Sequence, residues 1–259
     1  MDNKQISEMT GESQFKKAPE MKLNDVGLNG QKGFFVERLL LEGKDESGKY
    51  TKKDLGKELK VVFLKHRRVL SHFKKGPNGL EVISTNEHNH KDDYVMLFGP
   101  NIKGKASDLR EKYQELRTKQ IVYSFLPELD EVVRLTVKGA SLGSNNKQKE
   151  VLSYYEYLAS FSGEEHSWQY YTILKPREES NDMGSYYTIE FVRGEKISED
   201  ELNSKIIPLI KNVHEYTQAV DNYYKSKNEI EIKEEKKEKE PDLDTEYPDE
   251  VVNADDIPF

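Results

Sequence analysis

Between residues 51 and 75 the chain sets nine cations, Lys52, Lys53, Lys57, Lys60, Lys65, Arg67, Arg68, Lys74 and Lys75, against two acids, Asp54 and Glu58, for a local charge of +7. Within that stretch Lys60, Lys65, Arg67 and Arg68 are interleaved with Phe63, His66 and Phe73. Cations beside flat rings suit one kind of non-covalent chemistry. A positive groove tracks the phosphates of an unpaired nucleic acid strand, while rings stack on its bases whatever their sequence, each stack contributing about 1–3 kcal/mol. On a regular strand neighbouring cations point to opposite faces, so a bulge or strong twist has to ease the conflict. The competing interpretation is an edge strand whose charges deter other strands. A second aromatic group, Trp168, Tyr170, Tyr171, Tyr186 and Tyr187, falls on a predicted hairpin. Alternation puts Trp168 and Tyr170 on one face and Tyr171 on the other, so at least one face belongs to a core, and ordinary sheet packing competes with base stacking as the use of these rings.

Metal chemistry has one foothold. His88, His90, Asp92 and Asp93, with Glu87, could ligate an ion and support a metal-dependent nuclease. The plainer interpretation is a solvated turn between strands. No Gly-rich phosphate loop, nucleophile elbow or serine-triad signature is present, and Gly139–Gly143 reads as a connection from a strand to a helix. The expectation is binding without catalysis, with no metal and no cofactor.

The elements that must position these residues are mostly strands. Runs rich in Val, Ile, Phe and Tyr at 33–41, 59–73, 80–85 and 94–98 are punctuated by Gly76-Pro77-Asn78-Gly79 and by the polar stretch 86–93, a β-meander pattern. Further strands are expected at 120–125, 132–138, 168–174 and 186–193, the last two joined as a hairpin through Asn181, Asp182 and Gly184. Helical spacing appears at 107–117 and 148–161, and most clearly after Ser198, where Ser198 and Glu201 form a capping-box signature. From there Leu202, Ile206, Leu209, Ile210, Val213, Tyr216, Val220 and Tyr223 make one apolar stripe, with Pro208 predicted to kink or split the helix.

With 34% charged residues and a mean hydropathy of -0.87, the chain has too little apolar material for a core along its whole length. The expected division is a loose arm over residues 1–25, a nucleic-acid-binding body over 26–227 and a disordered acidic tail over 228–259. Net charge supports that division. Thirteen acids and four bases from residue 229 onward give the tail -9 of the total -8, leaving the body at +1. Absence of cysteine removes disulfides and thiolate metal sites and suits a reducing compartment. The longest apolar runs, such as Val61–Leu64, fall far below the roughly 20 residues of a membrane span, and no stretch has the apolar centre of a signal peptide. A cytoplasmic protein without membrane contact is expected.

The tail ends Asp255-Asp256-Ile257-Pro258-Phe259. An apolar, aromatic end on a solvated acidic strand is wasted unless something binds it. Ile257 and Phe259 suit a small hydrophobic pocket, Pro258 reduces the entropy lost on docking, the terminal carboxylate can pair with an arginine, and Asp255 and Asp256 would meet a basic rim. These five residues resemble the terminal motif of bacterial and phage single-stranded DNA-binding proteins. That resemblance implies that Pro258 and Phe259 enter a pocket of replication, recombination and repair proteins, with Asp255 and Asp256 as the charged approach. It also implies a body that protects single-stranded DNA, at the nucleoid or, for a phage-encoded chain, in the host cytoplasm. The match covers about 2% of the chain. The body departs from the commonest members, which have a compact OB-fold and a Gly-, Gln- and Pro-rich linker, whereas this chain leads into a Glu/Lys linker.

The resulting expectation is a mainly β protein with added α (α+β), an elaborated OB-like β-barrel followed by a disordered acidic tail. Its predicted DNA surface comprises Lys60, Phe63, Lys65, His66, Arg67, Arg68, Phe73, Trp168 and Tyr170, with Asp255 to Phe259 for partner proteins. Two alternatives stand beside it: a metal-dependent DNA-processing enzyme, and a replication adaptor that never touches DNA. Oligomeric state is open.

Overall fold

The computed structural model describes residues 18–24, 33–38, 52–76, 79–143, 152–182 and 184–239. Most of the predicted 1–25 arm, and the tail from residue 240 with Asp255, Asp256, Ile257, Pro258 and Phe259, lie outside them.

The chain is mainly β with a few helices. Its strands are β1 (Glu20–Asn24), β2 (Phe34–Arg38), β3 (Lys52–Gly56), β4 (Leu59–Gly76), β5 (Gly79–Thr85), β6 (Tyr94–Phe98), β7 (Ile102–Lys105), β8 (Arg117–Leu126), β9 (Glu131–Val137), β10 (Tyr170–Asn181) and β11 (Gly184–Lys196). They form one open mixed sheet in the order β3-β2-β1-β9-β8-β4-β5-β6-β7, with the β10–β11 hairpin joined to the start of β4. Neighbours are antiparallel except β1 and β9, which run parallel. The helices are α1 (Ala106–Lys112), α2 (Tyr154–Ala159) and α3 (Ile207–Lys239).

The hairpins follow their turn residues. Gly76 faces Gly79 and Asn181 faces Gly184 across the two predicted turns, and Gly184 adopts φ 123°, open to glycine and strained for other residues. One predicted boundary is corrected: Glu20–Asn24, assigned to the loose arm, is a sheet strand. Its Met21 and Leu23 are buried while Lys22 is not, a period of two that places it between β2 and β9. α3 continues past residue 227 to Lys239.

Strand β4 holds the molecule together. Leu59, Val61 and Phe63 enter a core cluster on one face with Tyr154, Tyr157 and Phe191, while Val62 and Leu64 enter a second cluster beneath Leu202, Ile206 and Val213. α2 is started by Glu156, whose carboxylate accepts the backbone N–H of Ser153 at 2.8 Å and its hydroxyl at 2.6 Å. At the start of the carboxyl-terminal helical run, the Ser198 hydroxyl accepts from Glu201 N at 3.3 Å. Glu201 does not close the box. Its carboxylate accepts the Tyr171 hydroxyl at 2.6 Å instead, tying the helix start to β10. Pro208 lies just after a π-helical segment, Leu202–Ile206, and that widened turn accommodates the missing backbone donor without ending the helix.

His66 sits on the first core face, its Nδ1 2.5 Å from the Tyr154 hydroxyl and its ring edge-on to Phe63. Burial lowers its pKa from 6.5 to about 4. Between those values the folded form binds fewer protons than the unfolded chain, so the contribution is complete above pH 6.5 and is lost as pH falls toward 4. Unfolding midpoints in urea measured across that interval should therefore drop with acid, and His66→Asn, which keeps an acceptor for Tyr154, should flatten the drop. An identical slope in the variant would contradict the assignment.

Candidate nucleic-acid interface

The anticipated bulge occurs in β4. Phe63 pairs with Ser124 and Lys65 with Tyr123, so Leu64 is the extra residue. Leu64 and Lys65 consequently both lie toward α3, Leu64 within the apolar cluster and Lys65 with its Nζ 2.8 Å from His214 Nδ1. Beyond the bulge Arg67, Val69 and Ser71 line a cleft on the α3 side, while Arg68 and Leu70 line a separate pocket on the other.

At the cleft's inner end Arg67, 1% exposed, donates to both carboxylate oxygens of Asp221 on α3, with Nη1 at 2.8 Å from Oδ2. It also donates to Asn89 Oδ1 at 2.8 Å and to the carbonyl of Glu87 at 2.7 Å. Glu87 in turn accepts from Tyr123 at 2.8 Å and forms an ion pair with Arg134. Burial opposes the Arg67 charge, but its hydrogen bonds to Asp221 and the charges of Asp221 and Glu87 outweigh that and hold its pKa above the ordinary value. Burial, followed by the charge of Glu87, pushes the Tyr123 hydroxyl well above the usual tyrosine range. This network joins β4, β8, β9, the loop after β5 and α3.

The cleft has a volume of about 620 Å³, with Tyr123, Arg134 and Tyr216 inside and Val82, Phe98, Lys119 and Tyr223 around it. Its mouth is apolar in a way folding does not require. Phe73 and Val82, directly paired across β4 and β5, are each 54% exposed, as is Tyr223, and Phe98 is 37% exposed. Lys119 Nζ stands 4.8 Å from the Phe73 ring centroid. Burial, then the charge of Lys138, lower the Lys119 pKa, with Glu20 acting the other way and Lys22 adding to the lowering. Open rings next to cations can stack on bases and neutralise phosphates.

The nine residues predicted for DNA are dispersed. Phe73 is the one whose ring is largely exposed, and it stands next to Val82 and Lys119 of the cleft lining. Phe63 is 1% exposed, closed in by Tyr154, Tyr157 and Phe191, so no ring face meets solvent. His66 and Arg67 are committed to Tyr154 and Asp221, and Lys65 to His214. Lys60 pairs with Glu195 at 2.6 Å and lies 3.7 Å from the Tyr171 ring centroid. Trp168 is not on a strand but in a 3-10 turn, Ser167–Gln169, half-buried and stacked on His166. Alternation therefore fails there: Trp168 joins Tyr171 on the α3 side, while buried Tyr170 contacts Phe161 and donates to Glu165 at 2.5 Å. Gly194 accommodates the irregular register, since a Cβ there would sit 2.9 Å from the Tyr171 carbonyl. Tyr186 and Tyr187 are half-buried on β11, Tyr186 donating to Glu179 at 3.0 Å.

The His88 group is organised as a turn. His88 is buried with Nδ1 3.2 Å from the Asn86 carbonyl, and Asp93 accepts backbone N–H groups from Asn89 and His90 at 2.8 and 2.9 Å. Those bonds lower the Asp93 pKa despite burial, which acts the other way. Among the described residues no three His, Cys, Asp or Glu side chains are placed to hold a metal, and no helix is long and apolar enough to cross a membrane.

Sequence reasoning missed Lys119, Phe98 and Tyr223. Tyr223 belongs to the helix's apolar stripe, whose last positions, more exposed than its first, meet the cleft rather than the core. Comparison with protein-family models, curated proteins and solved structures produced no match to this chain.

Proposed function

We propose that the chain is a single-stranded DNA-binding protein that protects unpaired strands and recruits replication, recombination and repair proteins through its acidic carboxyl-terminal segment. The sheet around β4 serves as the OB-like binding surface of such a protein, in the cytoplasm. The observation carrying the proposal is the exposed Phe73–Val82 pair with Lys119 over the Phe73 ring, at the mouth of an aromatic cleft. Cross-strand contact gives such a pair a modest share of sheet stability, and bases that cover its exposed half would bury the rest. The ion pairs deeper in the cleft fix its shape, leaving Lys119 to meet phosphates. Asp255, Asp256, Ile257, Pro258 and Phe259 supply the docking segment.

Like charges compete, which makes the division of labour testable. Removing residues 240–259 should leave affinity for oligothymidine equal or higher while abolishing capture of replication and repair proteins. Fluorescence anisotropy reads the first effect and co-purification the second. Recruitment that survives the deletion would refute the docking role, and strand affinity that falls with it would refute a DNA site confined to the body.

A further inference from the structure

On the face of the sheet opposite the cleft lies a second pocket of about 390 Å³, between β4, β8, α1 and the loop joining β5 to β6. Its polar lining is lopsided. Arg68 from β4, Lys91 from the loop and Arg110 from α1 meet a single acid, Glu111. Among the described residues, none of the three cations has a side-chain hydrogen bond or ion pair, whereas Arg67, Arg134 and Arg193 are all paired. Leu70 and Ala106, both buried, supply apolar lining, and Thr118 contributes a hydroxyl with no partner among the described residues. His88, 3% exposed, also lines the space; its Nδ1 faces the Asn86 carbonyl and its other ring nitrogen has no described partner. Burial holds His88 below its ordinary pKa, so it adds little positive charge at neutral pH.

Three cations without side-chain partners around one concavity, against one carboxylate, favour an anion that enters it. Guanidinium groups present planar, paired donors that match the oxygens of a phosphate. The volume exceeds what a bare ion needs and is within the range of small-ligand pockets. We propose that this pocket is a phosphate-binding site that holds a phosphate group of a nucleotide, free or within a nucleic acid strand, through Arg68, Lys91 and Arg110. The site is separate from the cleft and does not depend on the function proposed for it.

The test uses the full chain, isotopically labelled, titrated with inorganic phosphate, then deoxythymidine monophosphate, then oligothymidine, following the backbone amides of Lys91, Ser107 and Thr118 by NMR. Saturable shifts at these amides are expected, with affinity for inorganic phosphate and the monophosphate reduced about tenfold or more in Arg68→Gln/Arg110→Gln; in Phe73→Ala the affinity for inorganic phosphate alone is the control and stays as in the parent chain. Persistence of the monophosphate response under saturating oligothymidine identifies a free nucleotide as the occupant, and its loss identifies the strand. Chemical-shift dispersion of the double variant reports its folding, and Lys91→Gln provides a second variant at an exposed position. Absence of shifts at these amides, or shifts undiminished in folded variants, would overturn the proposal. Because inorganic phosphate and the Phe73 variant are separate arms, failure here is distinct from failure of DNA binding at the cleft.

Discussion

Replacing Asp221 with alanine is expected to lower the free energy of unfolding by about 3 kcal/mol, because the substitution leaves a buried guanidinium without its counter-charge. Arg67 would retain Asn89 and the Glu87 carbonyl, two neutral acceptors that do not replace a bidentate carboxylate. The contact joins residues 154 apart in sequence and fastens α3 over the cleft, so the loss should also loosen the helix. Arg67→Met/Asp221→Leu should be far less destabilised than Asp221→Ala, since an apolar pair has no uncompensated charge to bury. Urea unfolding of the three chains checks this order. A loss below about 0.5 kcal/mol in Asp221→Ala would show that the pair behaves as a solvated surface contact.

The largest expected effect on binding comes from Phe73. Truncation to alanine removes an exposed ring that packs little in the fold, so stability should hardly change while affinity for single strands falls by about 1–3 kcal/mol, roughly 5- to 150-fold. Lys119→Gln should act differently, weakening binding on every sequence and reducing the salt slope by about one phosphate contact. Trp168 should be indifferent by comparison, since its ring is stacked on His166 and does not line the cleft. Anisotropy titrations of labelled oligothymidine read all three. A Phe73→Ala dissociation constant within about twofold of the parent chain would remove the rim from the site.

What the sequence disclosed and what it hid differ for physical reasons. Hairpins were legible because glycine and asparagine turns are local, and the ends of β4, β5, β10 and β11 fall where Gly76, Gly79, Asn181 and Gly184 place them. β1 was hidden because five residues with two buried side chains carry too short a period to detect, and its partner β9 lies more than a hundred residues away. The split of Arg67 from Arg68 followed from strand alternation. That Arg67 is a buried ion pair did not, since its partner arrives on the last helix. Phe63 looked like a stacking ring because the same residue type serves cores and bases, and only the rings around it decide between them. Phe73 was legible, but its companions at the rim come from a hairpin and a distant helix.

The central claim, that the folded body holds unpaired nucleic acid at the aromatic rim, is tested most directly by equilibrium anisotropy of labelled oligothymidine with the full chain, repeated across salt concentrations and against a duplex of equal length. Saturable binding is predicted, weakening steadily as salt rises and favouring the unpaired strand by about tenfold or more. No binding, binding indifferent to salt, or equal affinity for the duplex would contradict it.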